Sequence, residues 1–129
     1  RAASFHADVL KQYADVDIAL DPFPFTGGLT SCEALWMGLP VVTWPGERPV
    51  SRQTLSLIAN LGHKDWLAEW VATDEADYVA KAAALAGDRA RLQKIRYSLR
   101  GAMGGSPLMD AVRFARNFER ALTGMIEAP

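Results

Sequence analysis

The sequence predicts an α/β fold in which a parallel sheet is flanked by helices and followed by a helical C-terminal part. Two observations carry this. Residues 17–44, DIALDPFPFTGGLTSCEALWMGLPVVTW, read as strand, glycine turn, helix and second strand. From Thr73 onward the apolar positions keep helical spacing. Two strands joined by a helical crossover are normally parallel and right-handed, so their C-terminal ends open onto one edge of the sheet, where ligands bind.

The elements follow in order. Phe5, Val9, Leu10 and Tyr13 are spaced for a helix over residues 4–15, with Ser4 as its cap. His6, early in that helix, is read as solvent-facing or locally bonded rather than as a base contact. Residues 17–21 form a short strand, closed by Pro22 and Pro24, which cannot donate to a sheet ladder. Gly27 and Gly28 permit a tight turn with positive φ and a close backbone approach to a ligand. The signature Thr30-Ser31-Cys32-Glu33 then starts a helix. Leu35, Trp36 and Leu39 mark its buried side, Gly38 its stop, and residues 40–44 the second strand.

Pro45, Gly46 and Pro49 make a loop, and Ser51 begins a helix that stops at Gly62 with Leu55, Ile58 and Leu61 as its buried stripe. Trp66, Leu67, Trp70 and Val71 suggest a short helix and then a strand over residues 69–72, with both tryptophans in the core. Thr73 or Asp74 caps a helix striped by Tyr78, Val79, Ala82 and Leu85 and ending at Gly87. Asp88 caps the next, with Leu92, Ile95 and Leu99, which ends before Gly101–Gly105. Ser106-Pro107 opens a last helix striped by Leu108, Ala111, Val112, Ala115, Phe118, Leu122 and Met125.

Composition narrows the partners. Half of the 129 residues are apolar, which suits a single domain over residues 1–129 with a real core. The formal charge of −1, with scattered basic residues, leaves no electrostatic footprint for nucleic acid or an anionic membrane. One cysteine excludes an intramolecular disulfide framework, and with two histidines it offers no metal-ligand spacing. Without a signal peptide or an apolar run long enough to span a bilayer, the expected compartment is the cytoplasm. The chain starts at Arg1 and enters a helical pattern almost at once, so a fragment of a longer protein is expected.

The candidate site is the turn. The free N–H groups at the start of the Thr30 helix carry partial positive charge and suit a phosphate, while Gly27 and Gly28 leave room for it. Arg52, in the first turn of the following helix, opposes that helix's dipole, so an anion or carboxylate partner, a pairing with Glu47 or simple exposure accounts for it. The reading is a nucleotide-diphosphate site.

The run DIALDPFPFTGGLTSCEALWMGLPVVTWPGERPVSRQTLS resembles the bacterial relatives of the O-linked N-acetylglucosamine transferases, of the O-GlcNAc transferase and SPINDLY type. The resemblance extends through SRQTLSLIANLG and, more loosely, through SPLMDAVRFARNFERAL. It implies a Rossmann-like half-lobe of a GT-B glycosyltransferase, the C-terminal portion of the lobe that holds the sugar nucleotide. It further implies that Gly27, Gly28, Leu29, Thr30 and Ser31 hold the diphosphate, chiefly through backbone N–H groups and the Thr30 hydroxyl, and that Glu33 accepts from the ribose. For Glu33 the capping box with Thr30 stands as the local alternative.

This chain departs from the family at several points. Animal members carry a histidine and a threonine where Gly28 and Leu29 stand, and hold uracil through a histidine and an arginine whose positions fall on Val9 and Gln12. The phosphate-binding lysine and the proposed catalytic groups lie outside residues 1–129. The implied function is the UDP-sugar-binding part of an inverting O-glycosyltransferase acting on Ser/Thr of proteins, with UDP-N-acetylglucosamine as donor type. No cofactor or metal is expected, since no Asp-X-Asp pair stands near the turn. The implied partners are a protein acceptor, the N-terminal catalytic lobe and tetratricopeptide repeats of the same chain. The alternatives are a GT-B transferase acting on a glycan or small molecule, and a non-catalytic interaction domain with a decayed nucleotide site. The isolated segment is expected to be inactive, because one wall of a cleft cannot position an acceptor.

Overall fold

The computed structural model describes residues 6–127. The first helix, α1 (His6–Gln12), runs into a single 3-10 turn, Tyr13–Asp15. The proposed Ser4 cap and Phe5 contact lie outside the described residues. Strands β1 (Ala19–Leu20) and β2 (Val41–Val42) pair in parallel, with Ala19 opposite Val41 and Leu20 opposite Val42. Hydrogen bonds from Ala19 N–H to the Pro40 carbonyl (3.0 Å) and from Asp21 N–H to the Val42 carbonyl (2.9 Å) carry the ladder past the strand ends. The crossover between them is α2 (Leu29–Trp36).

Helix α2 stops because Gly38 adopts a φ of +87°. Its N–H reaches the Leu35 carbonyl at 3.0 Å and that of Leu39 reaches the Ala34 carbonyl at 2.9 Å, a Schellman closure that satisfies the last carbonyls. Arg100 adds a cation there: its Nε donates to the Trp36 carbonyl at 3.0 Å and its guanidinium lies 4.8 Å from the Trp36 ring centre.

After β2 come a 3-10 turn (Pro49–Ser51), α3 (Gln53–Asn60) and α4 (Lys64–Trp70). Helix α3 starts two residues later than Ser51, and its buried side is Thr54 and Ile58, continued by Leu61, while Leu55 is only half-buried. The strand expected over residues 69–72 shrinks to one parallel bridge between Thr43 and Val71. The reason is Trp70: it remains helical, is fully buried and stacks on Trp66 at 5.0 Å, so core packing outweighs the β preference of its neighbours. Both tryptophans belong to the core, as expected.

Asp74 caps α5 (Glu75–Gly87) by accepting from Asp77 N–H at 2.8 Å, and Asp88 caps α6 (Arg89–Gly104) by accepting from Arg91 N–H at 2.8 Å. Helix α6 does not end before Gly101 but runs through it to Gly104. Ser106 caps only a 3-10 turn, Pro107–Met109; the last helix, α7 (Ala111–Glu127), begins at Asp110, which accepts from Arg113 N–H at 2.9 Å. Helix α6 packs on α2, and α4 and α5 on β2. The core unites Leu35, Leu39, Val41, Val42, Ile58 and Trp70 with Leu85, Ile95 and Leu99 from α5 and α6. Two expectations fail here. Val79 is exposed, and α7, whose apolar stripe predicts a buried face, is exposed along its whole length.

Candidate nucleotide-diphosphate site

The turn between β1 and α2 lies at the C-terminal edge of the sheet, where the parallel crossover directs it. Neither Gly27 nor Gly28 has a positive φ; among the described residues only Gly38 and Gly62 do. Gly27 is required for space instead. A Cβ there would fall 2.3 Å from Ser31 Oγ and 2.8 Å from Thr30 Oγ1, side chains of the first helical turn. At Gly28 it would fall 2.8 Å from Gln53 Oε1, the far end of a flexible side chain.

The turn is held by polar side chains distant in sequence. Gly27 N–H donates to Asp21 Oδ1 at 2.7 Å, and the Thr43 hydroxyl donates to Asp21 Oδ2 at 2.7 Å. Thr54 Oγ1 lies 3.1 Å from the Gly27 carbonyl oxygen and 3.0 Å from Ser31 Oγ. Thr26, fully buried, donates through both its N–H (3.2 Å) and its hydroxyl (2.9 Å) to the Val50 carbonyl, tying the turn to the loop after β2. The Tyr78 hydroxyl donates to the Asp21 carbonyl at 3.0 Å. Burial first, and then the nearby Asp21 carboxylate, push the Tyr78 phenol pKa up.

Helix α2 begins at Leu29 with Gly28 as its N-cap and no side-chain cap bond, so Thr30 and Glu33 do not form the proposed capping box. A helix leaves its first N–H groups without intrahelical acceptors. Leu29 and Thr30 are exposed beside them, whereas Ser31 is buried with its hydroxyl turned to Thr54. Gly27 N–H is already taken by Asp21. What the turn can offer an anion is therefore the backbone from Gly28 onward and the Thr30 hydroxyl.

Glu33 is half-buried, and the Tyr13 hydroxyl stands 3.4 Å from its Oε2 and 3.3 Å from the Thr30 carbonyl. Burial, followed by the Glu33 charge, raises the Tyr13 phenol pKa. The same two causes raise that of the Cys32 thiol. Tyr13, Asp21, Pro22, Thr30 and Ser31 line a cleft of about 130 Å³ at this edge. A larger cavity of about 700 Å³ opens at the opposite end of β1, against Asp17, Arg89 and Arg96, away from the turn. Arg52 is the residue before α3 rather than part of its first turn, and its Nη1 donates to the Gly46 carbonyl at 3.0 Å; it is not paired with Glu47. Val9 and Gln12 are half-buried on α1. Among the described residues no group of three or more His, Cys, Asp or Glu side chains is arranged to hold a metal ion, and no described helix is long and apolar enough to cross a membrane.

The structure thus brings Gly27 to Ser31 and Glu33 to one edge and sets Arg52 on the neighbouring loop. Sequence reasoning missed Asp21, Thr26, Thr43, Thr54 and Tyr13. One signal was available: Asp21 and Thr43 each directly follow a strand, polar residues at matching positions of two paired apolar runs.

Parallel strands joined through a glycine turn and a helix opening at the sheet's C-terminal edge form the strand–helix–strand unit of a Rossmann-like half-lobe. The profile of glycosyl transferase family 41 matches residues 7–118, and the chain belongs to that family. It is 41% identical over 118 residues to a rice protein named probable UDP-N-acetylglucosamine–peptide N-acetylglucosaminyltransferase SPINDLY, covering 92% of this chain and 12% of that protein. It is 32% identical to the Arabidopsis thaliana relative named SEC, over 81% of this chain and 10% of that one. Among solved structures it is similar to a K341M mutant of Thermobaculum terrenum O-GlcNAc transferase, with a TM-score of 0.84 and 35% identity, covering 95% of this chain and 23% of that one. The chain therefore spans about an eighth of the length of the SPINDLY relatives it matches.

Proposed function

We propose that this chain forms the diphosphate-holding wall of an inverting O-glycosyltransferase that uses a UDP-N-acetylglucosamine-type donor and transfers the sugar to Ser/Thr of proteins. The observation that carries the reading is the start of α2. Its free N–H groups and the exposed Thr30 stand at the sheet's C-terminal edge, where a helix N-terminus favours the charge that develops on a departing diphosphate. In this reading Glu33, one turn into the same helix, accepts from a ribose hydroxyl. The names of the plant relatives and the bacterial enzyme support the donor and acceptor classes. The remaining lobe supplies the acceptor site and acid–base groups, and repeats in the same chain present the protein substrate.

The test is calorimetric titration of UDP into the full-length protein. Glu33→Ala is expected to weaken binding by about 1–3 kcal/mol, the cost of a lost hydrogen bond to a charged group. Unchanged affinity with a lowered melting temperature would make Glu33 a structural partner of Tyr13 instead. UDP release from UDP-N-acetylglucosamine with a protein acceptor checks transfer, and residues 1–129 alone are expected to show none. One-sided contact should leave that segment a UDP affinity no better than about millimolar, near −4 kcal/mol.

A further inference from the structure

We infer that Asp21 is a positioning residue whose buried carboxylate fixes the Gly27 peptide, so that the following N–H groups of Gly28, Leu29 and Thr30 are held in place for a diphosphate. The inference rests on the reading that this turn holds a diphosphate. Asp21 is 4% exposed and follows directly on β1, its own N–H still in the ladder to Val42. Its two carboxylate oxygens take donors from two different segments, Gly27 N–H of the turn and the Thr43 hydroxyl at the end of β2, both at 2.7 Å. Hydrogen bonds to an ionised acceptor are shorter and stronger than neutral ones. From the other side Thr54 reaches the Gly27 carbonyl, so residue 27 is held at its N–H and at its C=O, one in each of the two peptide planes that flank it, and the second of these planes carries the Gly28 N–H.

Such a clamp does two things for a ligand at α2. It removes Gly27 N–H from the donors, so the first N–H free for a phosphate oxygen is that of Gly28. It also ties the turn to the two strand ends, so the donors are set before the ligand arrives and little ordering remains to be done on binding. The demand on residue 21 is chemical: one side chain must accept from a backbone N–H and from a hydroxyl at once. Asparagine meets it in part, because its oxygen can accept from Gly27 while its amide N–H₂ donates to a rotated Thr43 hydroxyl. Alanine leaves both donors buried and without an acceptor.

The experiment uses the full-length protein with UDP as probe, read by calorimetry. Deuterium exchange of the peptide spanning residues 22–31, without nucleotide, and the melting temperature are measured alongside. Asp21→Asn is expected to stay within about threefold of the unmodified protein in UDP affinity, and Asp21→Ala to lose tenfold or more and to exchange the turn faster. Ile95→Val, in the core of α6 and remote from the turn, is the control for general destabilisation; it should lower the melting temperature and leave UDP affinity unchanged. If Asp21→Ala does not fold, Thr43→Val removes one anchor of the carboxylate without changing shape, and a fall in UDP affinity greater than that of Ile95→Val is then expected. Asp21→Ala with unmodified affinity and exchange would overturn the inference while leaving the diphosphate reading intact. So would an equal loss of affinity in Asp21→Ala and Ile95→Val. If the unmodified protein does not bind UDP, the diphosphate reading fails by itself, and the exchange comparison alone decides whether Asp21 holds the turn.

Discussion

Helices α2 and α7 are both legible as helices, yet they end in opposite environments. Helix α2 carries a poorly separated mixture of apolar and small polar residues, and Ser31, Ala34 and Leu35 are nevertheless buried in a helix that packs against β2 and α6. Helix α7 carries a sharp apolar stripe with arginines opposite it, and none of its residues is buried. Periodicity states which face of a helix favours burial. Whether another element reaches that face depends on connections far away in the chain. For α2 the crossover between two paired strands forces the contact, whereas the 3-10 turn before α7 carries that helix away from the core.

The sharpest way to break this contrast is to truncate one apolar side chain in each helix. Leu35 is 0% exposed, so Leu35→Ala is expected to cost about 2–5 kcal/mol in denaturant unfolding, from lost transfer energy plus the cavity left behind. Phe118 is 55% exposed, and Phe118→Ala in the same chain should change stability by less than about 0.5 kcal/mol. A comparable loss at both positions would mean that α7 is covered in solution and that the contrast is false.

The next effect concerns where helices stop. Gly38 combines a positive φ with a site where a Cβ would lie 2.9 Å from the Arg96 carbonyl oxygen of α6. Gly38→Ala is therefore expected to cost about 2 kcal/mol, more than the roughly 1 kcal/mol for Gly62→Ala, where φ is +78° but the space is open. Gly101 is helical with open space around it, so Gly101→Ala should stabilise by about 0.5–1 kcal/mol. Thermal unfolding ranks all three. If Gly101→Ala gives no gain, the helix ends where the glycine-rich run begins, as the sequence alone suggests.

Much of the architecture was legible because its causes are local. The parallel strand–helix–strand unit, the Gly38 stop and the Asp74 and Asp88 caps each depend on a few neighbouring residues. The proposed Thr30–Glu33 capping box failed because α2 begins at Leu29, leaving Thr30 inside the first turn. The 69–72 strand failed because burying Trp70 in helical geometry outweighs the β preference around it. At the candidate site, the glycine turn and the place of Glu33 on the helix after it could be read, but the polar clamp could not. Asp21 meets Thr43 across 22 residues, Thr54 meets Gly27 across 27 and Tyr78 meets Asp21 across 57, and these contacts exist only once the sheet and α5 are assembled.

The smallest expected effect tests whether that clamp extends to α5. Tyr78 donates from α5 to the Asp21 carbonyl, so Tyr78→Phe removes one half-buried hydrogen bond and should cost about 1 kcal/mol at pH 7. The sign of the pH dependence follows from the raised phenol pKa. The unfolded tyrosine loses its proton near its ordinary pKa of about 10, the folded one only at higher pH, so between the two the unfolded state binds fewer protons and stability falls as pH rises. The stabilising contribution is whole below the unfolded pKa and is lost as pH climbs through the folded one. Tyr13 has the same sign, so the unmodified chain should lose stability above pH 10 from both phenols, and Tyr78→Phe should flatten that decline without abolishing it. Denaturant midpoints measured at pH 7, 9 and 10.5 make the comparison. An unchanged alkaline slope in Tyr78→Phe would mean that the hydroxyl is as well solvated folded as unfolded, and that the clamp on Asp21 ends at the side chains of Thr43 and the turn.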